Sequence, residues 1–510
     1  MEEALVSDYS VNEINSAKSS EEQIKNKNTN KINKKILFWI IGGGIVFLLF
    51  ILIILILIRK NSDSSKNLEI KGEINCIYDI NSLDIIKILG DDFKKTTNFD
   101  IIIDGTKIKY SKEYIFNKTG EHVIQFVIYD DLNMDYMFKD ISSLVYINMT
   151  SIKNASIISL ISSFENCSNL KDIIINGFNT NKINSTSKLF YKTKIENFDL
   201  IKIDMSNIVD ISYMFAETNI NDFNFNNFDT IKVKNMSHLF YKCNSLINFN
   251  PKNLNTNEVE DMSNMFESCD SLISLNLSNF KTNKVKNMSN MFKDCISLQY
   301  LDITSFNTQN VNDMSHLFDN CCSITELNLQ HFNTNNVKNM SHMFNYCTSL
   351  SELNIFNFNT SQVIDLSYMF AYDHSLKNLN TQNFNTLNVY NLSHIFTDCS
   401  LLDYIDVFLF YTQNCFDIFS MFEGCLSIKE INISNFDTSK VISMSNMFSG
   451  CSLITSLNIE NFETYSVRNM SGMFESCSKL ISLKINKFKT EKVEDMSKMF
   501  QYCSSLVELN

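Results

Sequence analysis

Residues 269–292 read Cys269-Asp-Ser-Leu-Ile-Ser-Leu-Asn-Leu-Ser-Asn-Phe-Lys-Thr-Asn-Lys-Val-Lys-Asn-Met-Ser-Asn-Met-Phe292. Leu272, Leu275, Leu277 and Phe280 trace the pattern L-x-x-L-x-L-x-x-F. Leu275 and Leu277, two apart, share one face of a short strand, because strand side chains alternate. Val285, Met288, Met291 and Phe292 follow at spacings of three and one. Those spacings predict a short helical or 3-10 segment with one buried face. Asn287, like Asp261 and Asp313 elsewhere, supplies a short polar side chain for turn or helix-end amides. A strand on one side and a helical turn on the other close a coil whose faces are buried only by neighbouring coils.

The coil repeats. Its anchor is a phenylalanine, usually preceded by Met or Leu, at Phe138, Phe164, Phe190, Phe215, Phe240, Phe266, Phe292, Phe318, Phe344, Phe370, Phe396, Phe422, Phe448, Phe474 and Phe500. The spacing is 26 residues except for two steps of 25, from Phe190 to Phe215 to Phe240. A period of this size is the signature of a solenoid, and it lets a chain of 510 residues be mostly one array. The expected core includes Phe266, Phe292, Phe318, Phe344, Leu275, Leu277, Met288, Met291, Cys269 and Cys295.

The strand motif resembles leucine-rich repeats. The fuller coil of residues 269–292, with its M-S-x-M-F ending, closely resembles the BspA-like leucine-rich-repeat surface proteins of bacteria and protists. The resemblance covers roughly residues 133–510. It is looser around Phe138, Phe190 and Phe215, where the cysteine is missing. It implies adhesion to another cell, to host matrix or to other surface proteins. The expected fold is therefore α/β: a leucine-rich-repeat solenoid of about 26-residue coils, preceded by a transmembrane helix and a small β-rich domain.

Upstream, Ile36–Ile58 is an unbroken apolar run of 23 residues. At 1.5 Å per residue it reaches about 34 Å, enough to cross a hydrocarbon core of roughly 30 Å. Arg59 and Lys60 follow it in place of a cleavage site. Lys25, Lys27, Lys31, Lys34 and Lys35 precede it, against Arg59, Lys60, Lys66 and Lys71 beyond. That bias favours an internal N-terminus. The expected organisation is a disordered cytoplasmic tail at 1–35, a transmembrane helix at 36–58, a linker at 59–67, a β-rich domain at 68–131 and the solenoid at 132–510. The expected localisation is single-pass, type II, with extracellular repeats. Within 68–131, β-prone runs at Glu73–Tyr78, Phe99–Ile103 and His122–Tyr129 are separated by turn signals such as Asp104-Gly105 and Gly120. The chain stops at Asn510, where Leu506 and Leu509 begin a motif that nothing completes. A truncated gene model or a fragment of a longer protein is therefore expected.

Stacking turns repeated positions into columns. Cysteine falls three residues after the anchor in eleven coils: Cys167, Cys243, Cys269, Cys295, Cys321, Cys347, Cys399, Cys425, Cys451, Cys477 and Cys503. With no C-x-x-C pair of zinc spacing, these read as buried free thiols. Cys76, Cys322 and Cys415 lie off the column and are the better disulfide candidates in an oxidising compartment. A threonine column (Thr282, Thr308, Thr334, Thr360 and others) reads as turn-forming in preference to an ice- or glycan-binding face. His238, His316, His342 and His394 share the register two before the anchor. Because that column also holds Asn264, Asn290, Tyr368, Gly472 and Lys498, it reads as a solvated, variable face, and no metal site is expected. Sequons place candidate N-glycosylation at Asn117, Asn148, Asn154, Asn166, Asn184, Asn235, Asn287, Asn339, Asn359, Asn391 and Asn469. Asn276 and Asn432 match the pattern too.

The net charge of −13, from 44 basic and 57 acidic side chains, argues against a nucleic-acid partner. No phosphate loop, G-x-S-x-G or H-E-x-x-H is present, so no enzyme, cofactor, catalytic residue or small-molecule substrate is expected. The expected function is a membrane-anchored surface protein that binds an extracellular protein or host-surface ligand through the solenoid. The alternative is a signalling receptor whose short tail recruits an intracellular partner.

Overall fold

The computed structural model describes residues 68–153, 155–195, 203–224, 228–252 and 254–510. Residues 69–510 form one compact unit. The expected tail (1–35), transmembrane helix (36–58) and linker (59–67) lie outside the described residues. Among the described residues no helix is long and apolar enough to cross a membrane. The single-pass localisation, with its type II topology and extracellular repeats, is therefore withdrawn.

The unit begins with a β-sheet. Gly72–Ile80 alternates buried and less buried residues, as a strand with one covered face does. It pairs antiparallel with Gly120–Ile128 on one side and Leu144–Ser151 on the other. Phe99–Ile103 and Thr106–Ile108 extend the first edge, and Asp172–Asn176 adds in parallel beyond Leu144–Ser151. The three β-prone runs are thus strands: Phe99–Ile103 has the expected bounds, and the other two shift by one or two residues at each end. Their sheet runs on across residue 131 into the first coils, so the unpaired edge of the array is covered by strand.

From there most of the described coils carry a two- or three-residue strand followed by tight turns. Ser274–Asn276 pairs in parallel with Tyr300–Asp302, and Glu352–Leu353, Asn378–Leu379 and Tyr404–Ile405 form a three-stranded stack. The helical or 3-10 segment expected around Met288–Phe292 is absent, and the described residues contain no helix. This corrects the α/β class: the array is an all-β solenoid.

The reason lies in two backbone positions per coil. Asn290 and Asp294 have φ of 57° and 59°, in the left-handed region. The turn closed by Met291 N–H on the Met288 carbonyl therefore carries positive φ at its third residue, as a type II turn requires. A right-handed helix cannot continue through it. Alternate N–H groups are freed to reach the next coil: Met288, Asn290, Phe292 and Asp294 donate to the carbonyls of Asp313, Ser315, Leu317 and Asp319. Of the remaining amides, Met291, Lys293 and Cys295 close three-residue-apart turns, and Ser289 N–H donates to Asn287 Oδ1. Every backbone group of the ridge named here is paired, half within its coil and half across coils.

Turns of this kind bring residues i and i+3 inward together. Cys269 with Leu272, Leu277 with Phe280, Met288 with Met291 and Phe292 with Cys295 close such turns, and all are fully buried. The anchor phenylalanines stack from Phe138 to Phe500, with successive centroids 5.7–6.1 Å apart and rings within 3–17° of parallel. These are offset-stacked pairs. Each ring adds roughly 1.5–3 kcal/mol of apolar burial.

Candidate functional site

Three polar columns hold the coils together. Asn235, Asn287, Asn339, Asn391 and Asn469 accept, through Oδ1, the N–H of the serine two residues on, at 2.8–3.0 Å. The same residues bridge coil to coil in parallel with the intervening aspartates. These five sequon asparagines are half-buried parts of a turn ladder, and Asn359 likewise accepts from Ser361 N–H. Asn117, Asn166 and Asn184 are exposed, Asn148 is half-buried in its strand, and Asn154 lies outside the described residues.

The threonines are buried, not a surface row. Thr282 Oγ1 donates to the Asn307 carbonyl at 2.9 Å and accepts the Asn307 N–H at 2.7 Å. Thr334 clamps Asn359 in the same way, at 3.0 and 2.7 Å. The clamp spans neighbouring coils instead of a residue's own turn.

All described cysteines are free, including Cys76, Cys322 and Cys415. In the column each thiol donates to the anchor carbonyl of the preceding coil, for example Cys295 Sγ to the Phe266 oxygen at 3.1 Å. Burial pushes the Cys295 thiol up to about 12, so it is not a nucleophile at neutral pH. Four coils depart, with Ile141, Thr193, Thr218 and Asp373 at the cysteine position, and Asp373 is fully buried with neither carboxylate oxygen hydrogen-bonded. Burial raises that carboxyl well above its usual range, because the charged form is desolvated.

The four histidines of this register are half-buried, in contrast to the expected solvated face, and the register's backbone is left-handed in every coil from Tyr136 to Lys498. In consecutive coils His316, His342, Tyr368 and His394 stack face to face, with centroids 4.3, 4.5 and 4.2 Å apart. Burial pushes the imidazoles of His238, His342 and His394 down to about 4. His316 Nδ1 lies 2.7 Å from Asp319 Oδ2. Sequence reasoning saw the neighbouring histidines but missed Asp319, although its spacing of three from His316 was the available signal.

The strand side of the coils is open. Above Glu352–Leu353, Asn378–Leu379 and Tyr404–Ile405 runs a groove of about 800 Å³. Glu326, Glu352, Asp406 and Tyr404 line it, and no basic residue does. Tyr300, Tyr404, Phe356 and Phe408 on this side are half or more exposed.

Parallel coils closed by an L-x-x-L-x-L-x-x-F strand motif and sharing one core define the class: a repeat solenoid of the leucine-rich kind, with a ridge of turns where a helix was expected. The sequence profile described as "Mycoplasma protein of unknown function, DUF285" matches residues 158–272, 244–327, 313–430 and 416–509, and the chain belongs to that family. Among solved structures, a leucine-rich repeat protein from Eubacterium ventriosum is similar over 65% of this chain and 90% of its own, at 13% identity and a TM-score of 0.31. The TLR13–ssRNA13 complex is similar over 74% of this chain and 68% of its own, at 14% identity and a TM-score of 0.16. No curated protein matches the chain in sequence.

Proposed function

We propose that the solenoid is a protein-binding scaffold whose strand side receives the partner. The observation that carries this reading is the acidic groove over residues 326–406 with exposed Tyr300, Tyr404, Phe356 and Phe408 around it. Aromatic side chains are enriched where proteins meet, and a stacked strand face lets them vary without disturbing the core. Carboxylates without lining cations suit a basic segment of the partner. Adhesion is the finer form of this function, supported by the resemblance of the M-S-x-M-F coil to BspA-like proteins.

Reversing the groove's charge tests the proposal. The full chain carrying Glu326→Lys, Glu352→Lys and Asp406→Lys together is compared with the parent in affinity capture from cells that express it. These side chains sit outside the core, so folding is expected to survive. Captured proteins are expected to be lost, with affinity for any isolated partner down about tenfold or more. An unchanged set of captured proteins would place binding elsewhere.

A further inference from the structure

We infer that His316, His342 and Asp319 form a binding site for a divalent transition metal of the zinc class. Their ligand atoms all lie within 4.8 Å of one another. The two imidazoles come from adjacent coils and stack at 4.3 Å, 11° from parallel. Their ring edges therefore run side by side, and Asp319 closes the group from the side of His316. Two imidazoles and one carboxylate are a donor set for zinc, cobalt or nickel, and three protein ligands leave room for water.

The backbone of the site is fixed before any ion arrives, and binding requires only that the stacked imidazoles turn their edges toward a shared ion. Left-handed φ values of 55° and 58° fix His316 and His342, and their N–H groups are tied to the carbonyls of Ser341 and Ser367, both at 2.9 Å. Buried Asn345 donates from Nδ2 to Asp319 Oδ1 at 2.8 Å, which orients the carboxylate and leaves Oδ2 toward His316. The Oδ1 of Asn345 is itself buried without a hydrogen-bond partner. A water held by a bound metal would supply the missing donor to that orphaned acceptor.

The same column contains its own controls. His394 stacks on Tyr368, and the residue three further on is Thr397, held at 3.0 Å, not a carboxylate. His238 stacks on Tyr213 and contacts Asn264. Neither combines a second histidine with an acid.

Cobalt(II) titration of the full chain, followed by its visible absorption and by calorimetry, tests the inference. One equivalent is expected to bind, without a thiolate charge-transfer band, and to be displaced by zinc. His342→Asn and Asp319→Asn are each expected to weaken binding more than about a hundredfold, and Asn345→Ala by about tenfold. His394→Asn is expected to leave it unchanged. Asparagine already occupies this column at Asn264 and Asn290 with positive φ, so the histidine variants keep the backbone, and equal melting temperatures of the metal-free chains check this. No cobalt binding by the parent, or binding that survives His342→Asn and Asp319→Asn, would overturn the site.

Discussion

A left-handed backbone two residues before and two after each anchor phenylalanine limits which side chains a coil can carry there. Glycine fits without cost and asparagine with little, while a β-branched residue meets its own carbonyl. Gly424, Gly450 and Gly472 sit in these two columns with positive φ. Asn290→Val is expected to destabilise the chain by about 1–2 kcal/mol and Asn290→Gly to be close to neutral, read as shifts in thermal or denaturant midpoint. This property was partly legible in the sequence. Three of only 11 glycines share those registers with Asn and Asp, yet histidine, tyrosine and lysine in the same columns disguised them as a variable surface. Asp373 was equally open to reading, as an acid where eleven coils have cysteine. Its folded-state pKa is raised above the unfolded value, so its burial weakens the fold at neutral pH, and the penalty fades as pH falls. Asp373→Cys, which restores a thiol donor like Cys347 and Cys399, is expected to raise the melting temperature at pH 8. The gain should shrink as pH is lowered toward the carboxylate range; a constant gain at all pH values would argue against a raised carboxyl at Asp373.

Within a coil, the contest lay between a helix and a run of turns. Both place apolar residues three apart, so the spacing of Met288 and Met291 is compatible with either. The deciding factor is where the alternate amides go, and those reach the next coil, which no single-coil pattern records. The short strands and their inward Leu275 and Leu277 were legible from period-two alternation, and both leucines are fully buried. Threonine was recognised as a structural column, but its partners lie 25 residues away, so sequence-local reasoning assigned it to its own turn. Thr334→Val keeps the shape while removing both clamp bonds to Asn359. A loss of about 1–3 kcal/mol is expected, with faster hydrogen exchange at the Asn359 amide; unchanged exchange would show that the clamp contributes little.

Across the whole repeat unit, the core is one continuous column of rings and sulfurs, and variation is confined to what faces outward. That division explains why the repeat array could be read from fifteen phenylalanines while the helix-free build of its coils and the site could not. Period and register are repeated many times over, whereas the strand-side column changes from coil to coil, reading Tyr300, Glu326, Glu352, Asn378 and Tyr404 in succession. Only the stacking shows that Glu326, Glu352, Asp406 and Tyr404 share a groove. The measurement that tests the binding role most directly is site-specific photo-crosslinking around the coil in cells expressing the full chain. The crosslinker is placed at Glu352 or Tyr404 on the strand side, or at exposed Lys286 on the turn side. Protein adducts are expected from Glu352 and Tyr404 and not from Lys286. Adducts from Lys286 alone, or from none of the three positions, would contradict a scaffold that binds through its strand side.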